Sequence, residues 1–342
     1  MAVGSYETGS GDQRALVERY DGAGWRLEVV PSPGAGAVLR SVACAAASWC
    51  VAVGSAGASD DPAQQEALLE TWDGGRWWLG GVPALPRPSS FESVECRTAT
   101  SCKAVGWSSA SGVATPFVDS WDGHGWRLVS LPFPSQGAND GGFLRSIACP
   151  GPSRCLAAGL LSTNDGGDGT ATLAEAWSGA AWKLLDTPSP EVLSGDMSAL
   201  QAIACPAVAT CFAAGSYARG NVFNTMDQTL VEAWNGSAWS QVPAAALGAG
   251  RQSALSAIAC PGATLCLAAG WSADAAQSRR GLVETWNGRS WSVASGLGDF
   301  GEWRGLSCPQ AELCLLAGSS FDGADPLGHA AAAWWHGPGT SA

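Results

Sequence analysis

Residues 255–293 read LSAIACPGATLCLAAGWSADAAQSRRGLVETWNGRSWSV. Four short apolar runs bounded by turn-forming residues predict four strands: A at 255–260, B at 266–271, C at 281–286 and D at 290–293. Asn287-Gly288 tolerates positive φ at both central turn positions, so C and D are expected to form a tight hairpin. Cys260 and Cys266 bracket another short turn, between A and B.

The same unit recurs along the chain. Cysteine pairs with five intervening residues occur at Cys44 and Cys50, Cys96 and Cys102, Cys149 and Cys155, Cys205 and Cys211, Cys260 and Cys266, and Cys308 and Cys314, which accounts for all twelve cysteines. Four residues after each second Cys stands Gly54, Gly106, Gly159, Gly215, Gly270 or Gly318. An aromatic residue, a polar residue and Gly follow one another seven times, from Tyr20-Asp21-Gly22 to Trp335-His336-Gly337. In six of these copies a second Trp follows three residues after the Gly, at Trp25, Trp77, Trp126, Trp182, Trp239 and Trp291. A period of about 50 residues, with four strands per repeat, predicts an all-β β-propeller of four-stranded antiparallel blades. Counting gives six A, seven B, seven C and six D strands, so seven blades are expected and six are the alternative.

A closed ring of repeats folds as one unit, so residues 1–342 are expected to form a single domain. The chain opens inside a repeat: 1–5 (MAVGS) aligns with 51–55 (VAVGS), which points to an upstream strand and an export signal outside this sequence. Gly 45 and Pro 19 supply the punctuation of an all-β chain, and no helical period is visible. A net charge of −12 with only two lysines, Lys103 and Lys183, argues against a nucleic-acid partner. No apolar run is long enough to span a membrane.

The order L-x-x-I-x-C, C-x-A-x-G, L-x-E-x-W-[DN]-G-x-x-W resembles the blade of the sialidase-like, Asp-box and photosystem-assembly-factor propellers. Residues 71–78 (TWDGGRWW) come closest to an Asp box, and the repeats also resemble bacterial, notably actinobacterial, Trp-Asn-Gly arrays. The resemblance covers nearly the whole chain and implies architecture rather than one activity.

Most recurrent residues have a structural role. The Trp pair at each C–D hairpin places two large rings side by side, to be buried between neighbouring blades. Glu18, Glu70, Asp119, Glu175, Glu232 and Glu284 share one position on strand C, where a repeated hydrogen-bond acceptor is expected rather than six catalytic acids. The cysteines are expected to form disulfides within their hairpins, because zinc needs four convergent ligands and the only histidines are His124, His329 and His336. Disulfides place the protein outside the cell or on its surface; a cytoplasmic chain with reduced thiols is the alternative.

No nucleophile elbow, phosphate loop or His-rich metal motif is present, so neither catalytic residue, metal nor cofactor is expected. The loop 164–169 (NDGGDG) has oxygens for Ca²⁺ but not the spacing of an EF-hand. Short, uniform A–B and C–D turns define one face of the blades, and variable B–C and D–A connections define the other, where binding is expected. Four residues before each first Cys, near that face, stand Arg40, Glu92, Arg145, Gln201, Ser256 and Arg304, and strand B ends there on Trp107 and Trp271. Arg40, Glu92, Arg145, Arg304, Trp107 and Trp271 are therefore the candidate ligand-binding residues, suited to an acidic or sugar-like ligand. A plainer role for the arginines is pairing with Glu92 or other carboxylates. The expected function is a non-enzymatic, monomeric scaffold for a glycan, a small acidic ligand or a protein. A sialidase-like glycoside hydrolase or lyase on the same scaffold is the alternative.

Overall fold

The computed structural model describes residues 1–31, 33, 36–57, 61–110, 112–133, 141–163, 169–190, 196–218, 227–248, 251–274, 279–294, 301–320 and 329–337. The first sheet is β1 (Ala2–Glu7), β2 (Gln13–Tyr20) and β3 (Trp25–Glu28) in that order. The next is β4 (Val38–Ala46), β5 (Trp49–Ala56), β6 (Glu66–Trp72) and β7 (Trp77–Leu79). It is followed by β8 (Ser89–Thr98), β9 (Ser101–Ala110), β10 (Val113–Trp121) and β11 (Trp126–Val129). The same order recurs in β12 (Gly142–Gly151), β13 (Arg154–Ser162), β14 (Thr170–Trp177) and β15 (Trp182–Leu185), then in β16 (Met197–Ala207), β17 (Thr210–Ala218), β18 (Gln228–Trp234) and β19 (Trp239–Val242), the two sets joined in one eight-stranded sheet by a single parallel pairing of Thr170 with Met197. Last come β20 (Gln252–Gly262), β21 (Leu265–Ala273), β22 (Arg279–Trp286) and β23 (Trp291–Val293), and the three strands β24 (Glu302–Gln310), β25 (Leu313–Ser320) and β26 (His329–His336). The first sheet has the B, C and D positions of the repeat and the last has A, B and C, so the described residues contain the expected six A, seven B, seven C and six D strands. One 3₁₀ turn, Pro62–Gln64, is the sole helical element described, and among the described residues no helix is long and apolar enough to cross a membrane.

Two compact units divide the chain: Met1–Ala157 with Ala176–Leu184, and Ala158–Glu175 with Leu185–Ala342. In the first, Val17, Leu39, Ala52, Leu68, Trp72 and Trp77 share one core cluster, and Val51, Val53, Leu69, Phe91, Ala104 and Phe117 share another. In the second, Phe212, Ala214, Val231, Leu255, Ala268 and Trp291 pack together, as do Leu267, Ala269, Val283, Trp303 and Leu316. Alternate residues of a B strand enter different clusters, which is why these strands read as continuous apolar runs: from Cys266 to Ala273 every residue of β21 is buried.

Six disulfides form within the A–B hairpins, each spanning a Cα–Cα distance of 4.0–4.1 Å. They point to an oxidising environment. At the C–D hairpins the paired rings face each other across the strands, as in Trp72–Trp77 at 5.8 Å and Trp286–Trp291 at 5.7 Å between centroids. These turns are longer than expected. Four residues separate Trp72 from its register partner Trp77, the Asp73 N–H closes the loop on the Arg76 carbonyl, and Gly74 takes φ 94°. The Asp73 carboxylate caps the loop by accepting from Trp78 Nε1 (2.6 Å) and the N–H groups of Arg76 and Gly75 (both 2.9 Å), and these donors lower its pKa to about 2. The side-chain oxygen holds the loop open, so a two-residue turn gives way to an Asx-capped one.

The recurrent Gly of strand B has a single cause. A Cβ on Gly54 would lie 2.0 Å from the Val38 carbonyl oxygen, and on Gly270 2.0 Å from that of Ala254. Strand A therefore crosses directly over the Gly, and its register shifts by one residue beside that crossing. The extra residue is Arg40 in β4, Glu92 in β8, Gln201 in β16, Ser256 in β20 and Arg304 in β24. The variable series four residues before each first Cys thus coincides, in these five strands, with a β-bulge, a device that re-aims one side chain.

Candidate functional site

In the first unit four of the candidate residues come together, two of them, Arg40 and Glu92, at bulges. Strands β4, β8 and β12 are tied through serines: Ser41 Oγ accepts the Val94 N–H at 3.2 Å and Ser93 Oγ the Ile147 N–H at 3.4 Å. Across that row, Glu92 Oε1 lies 3.7 Å from Arg40 Nε and Glu92 Oε2 3.3 Å from Arg145 Nη1. Trp107, at the end of β9, donates its indole N–H to Glu92 Oε1 at 2.9 Å. Phe143, two residues before Arg145, meets Trp107 edge-on at 5.3 Å and lies under the Arg145 guanidinium at 5.0 Å. The Glu92 side chain is 8% exposed, whereas those of Arg40 and Arg145 are 40% and 29% exposed. One sunken carboxylate therefore holds two guanidinium groups whose free edges reach solvent, leaving a net positive charge beside two aromatic rings. Arg145 Nε is buried and, among the described residues, has no acceptor. The solvent-facing edges of Arg40 and Arg145 suit a carboxylate or sulfate oxygen, since guanidinium forks bind oxyanions through charge-assisted hydrogen bonds.

Arg304 and Trp271 lie in the second unit, in a cluster of their own. The Glu302 side chain, 5% exposed, pairs with Arg304 Nη2 and, at 3.1 Å, with Arg279 Nη1. The Arg279 guanidinium stacks 4.2 Å from the centre of the Trp271 ring. Asp227, half-buried ahead of β18, feels the charge of Arg279; burial pushes its carboxyl above the usual range and Arg279 pulls it back. The plainer role foreseen for the arginines, pairing with carboxylates, is thus what all three adopt. Phe143, Glu302, Arg279 and Asp227 were missed, although two have a signal in the sequence. Phe143 and Glu302 both stand two residues before a bulge-series arginine, the spacing that returns a strand to the same face.

The strand-C carboxylates are walled off from any ligand: Glu70, Asp119, Glu175, Glu232 and Glu284 are all 0% exposed. Glu284 accepts the Ala245 N–H at 3.0 Å, as foreseen, but among the described residues Glu70 and Glu175 accept no hydrogen bond, contrary to the expected acceptor role. Most of the possible Ca²⁺ loop, 164–168, lies outside the described residues, and among those described no cluster of three or more metal-binding side chains occurs.

No family model and no curated protein matches the sequence. Solved structures do match. An ulvan lyase, of a polysaccharide lyase family and bound to a GlcA–Rha3S chain, superposes with a TM-score of 0.57 at 8% identity, covering 92% of this chain and 86% of its own. An α-L-arabinofuranosidase from Fusarium graminearum, bound to an iminosugar inhibitor, gives a TM-score of 0.52 at 10% identity over 87% of this chain and 93% of its own. A protein of unknown function from Dyadobacter fermentans gives 0.50 at 11% identity over 87% and 94%. The fold is a β-propeller. The likeness to these solved propellers holds at the level of architecture. The non-enzymatic scaffold expected from the missing motifs does not stand beside these matches, because the characterised chains that share this propeller are a lyase and a glycosidase.

Proposed function

We propose that this propeller is a polysaccharide-degrading enzyme that acts on an acidic glycan, with the Glu92 cluster as its substrate-binding centre. The observation that carries the reading is the pair of half-exposed guanidinium groups, Arg40 and Arg145, fixed by one sunken carboxylate beside Trp107 and Phe143. Pinned arginines lose little freedom on binding, so more of each hydrogen bond appears as affinity. The rings supply a stacking surface for a sugar face.

The chemistry favoured is elimination. Hydrolysis needs two carboxylates in different protonation states at one bond, whereas this cluster has one carboxylate and two cations. Two guanidinium groups on a uronate carboxylate withdraw charge and acidify the adjacent C5 proton. Loss of that proton to a base, cleavage of the C4–O bond and delivery of a proton to the departing oxygen leave a 4,5-unsaturated uronate and a free hydroxyl on the departing chain. We also infer that the protein is exported, since six disulfides close in its hairpins.

Ulvan, polygalacturonate, alginate and chondroitin sulfate, incubated with the oxidised protein, test the reading. Ultraviolet absorbance of the unsaturated product is expected with at least one of them, and Arg145→Ala should lower kcat/KM by about tenfold or more. New reducing ends without that absorbance would make the enzyme a hydrolase. Neither signal from any acidic glycan would overturn the proposal.

A further inference from the structure

The second unit repeats the construction of the Glu92 cluster with different strand positions. In the first cluster the carboxylate is the bulge residue and the cations come from neighbouring A strands. In the second, the carboxylate of Glu302 sits two residues ahead of the bulge residue Arg304, and the other cation, Arg279, opens strand β22. The outcome is the same: a sunken Glu, two arginines and an aromatic ring. Arg304 is 72% exposed and Arg279 49% exposed at the side chain, against 5% for Glu302. Trp271 is 8% exposed and lies against the Arg279 guanidinium, which adds a cation–π contact to its pairing with Glu302. In a protein of net charge −12, this cluster sets two arginines against the carboxyls of Glu302 and Asp227, so local acidity is offset.

A groove in the same unit is linked to this cluster through Asp227. It encloses about 440 Å³ between β17–β19 and the connection that follows, and its lining includes Tyr217, Gln228, Gln241, Arg251 and Ser253. Two of these flank Asp227: Gln228 follows it in the chain, and Ser253 donates its N–H to the Asp227 carbonyl at 2.8 Å. A groove of this volume is in the range of small-ligand sites, and amide, hydroxyl and guanidinium groups match the hydroxyls of a sugar.

We propose that Arg279 and Arg304, pinned by Glu302 and Trp271, form a second anion-binding site that takes the carboxylate or sulfate of an acidic saccharide whose chain runs into the Gln228–Ser253 groove. It rests on the reading of the substrate as acidic but requires no turnover. Binding energy gathered at such a site, away from the bond that breaks, anchors a polymer.

The test uses calorimetry with the full-length oxidised protein and trigalacturonate, a sulfated disaccharide as second anionic probe and maltotriose as neutral control. The first cluster is silenced with Arg40→Ala/Arg145→Ala. This double variant is expected to keep binding at least one anionic probe and not maltotriose. Adding Arg279→Gln and Arg304→Gln should weaken that residual binding by about tenfold or more. Because Arg279→Gln strips a partner from a buried acid, the highly exposed Arg304→Gln is also tested alone, with thermal unfolding as the check of folding; it should weaken binding about threefold or more. Residual binding unchanged by the added variants, or no binding of either anionic probe by the Arg40→Ala/Arg145→Ala protein, overturns the proposal. Binding lost with Arg279 and Arg304 in a protein that cleaves no glycan sustains it and sinks only the enzymatic reading.

Discussion

Burial sets the chemistry of the strand-C carboxylates. It pushes Glu70, Asp119, Glu175 and Glu232 up to about 7. In the unfolded chain such groups titrate near about 4, so between roughly pH 4 and 7 the folded protein holds protons that the unfolded chain has released. Their stabilising contribution is therefore complete below about pH 4 and is lost as pH rises to 7, by up to ~1.4 kcal/mol per pH unit for each group. Urea unfolding should show a more stable protein at pH 5 than at pH 8. Glu70→Gln should raise stability at pH 8 and flatten that slope, which separates this effect from the self-repulsion of a chain of net charge −12. A slope unchanged in Glu70→Gln would mean that the carboxylate is ionised when folded. That these residues are equivalent was legible from the repeat. What each one meets was not: Glu284 finds the Ala245 N–H in the D–A connection of the preceding sheet, and those connections differ from copy to copy.

At the scale of the strand, the sequence displayed the devices without their consequences. The Gly four residues after each second Cys was visible as a period, but only the crossing of strand A shows that a Cβ has no room there. That crossing then generates the bulge that turns Arg40 and Glu92 toward each other. Strand ends shifted for a related reason. Strand A of the quoted repeat runs from Gln252 to Gly262 rather than from 255 to 260, because backbone pairing continues past the apolar core into residues with no hydrophobic signature. Gly270→Ala should cost about 1–3 kcal/mol, the price of overpacking against backbone that cannot move aside. Gly262→Ala, at a position with nothing within 4 Å of the added carbon, should stay within about 0.5 kcal/mol of the parent. Denaturant midpoints of the two variants give the comparison, and equal losses would contradict the crossing as the reason for the Gly.

Over the whole molecule, the architecture was legible because a repeat writes its core six or seven times, while the candidate site was half legible because it is written once. Each sheet lends one or two side chains: Arg40, Glu92 and Arg145 are about 50 residues apart and form no local motif. Absence of a motif was therefore a poor reason to expect a scaffold without activity. The cysteines, by contrast, are local in both sequence and space, and they yield the firmest expectation. Each disulfide closes a loop of six-residue separation, contributing on the order of 2–3 kcal/mol in the chain-entropy picture. Protein from an oxidising host should take up no alkylating agent until reduced, and its peptide map should contain only within-hairpin pairs. Reduction should then lower the unfolding free energy by at least ~2 kcal/mol. Because Cys44 faces Cys50 and Cys96 faces Cys102 in register, the strands stay paired when the bonds open, so the reduced protein should keep its β-sheet circular dichroism in the absence of denaturant. Peptides joining Cys44 to Cys96, or any other pair from different sheets, would overturn the hairpin assignment. An unfolding midpoint unmoved by reduction would show that register alone holds these hairpins and that the six bonds add nothing to stability.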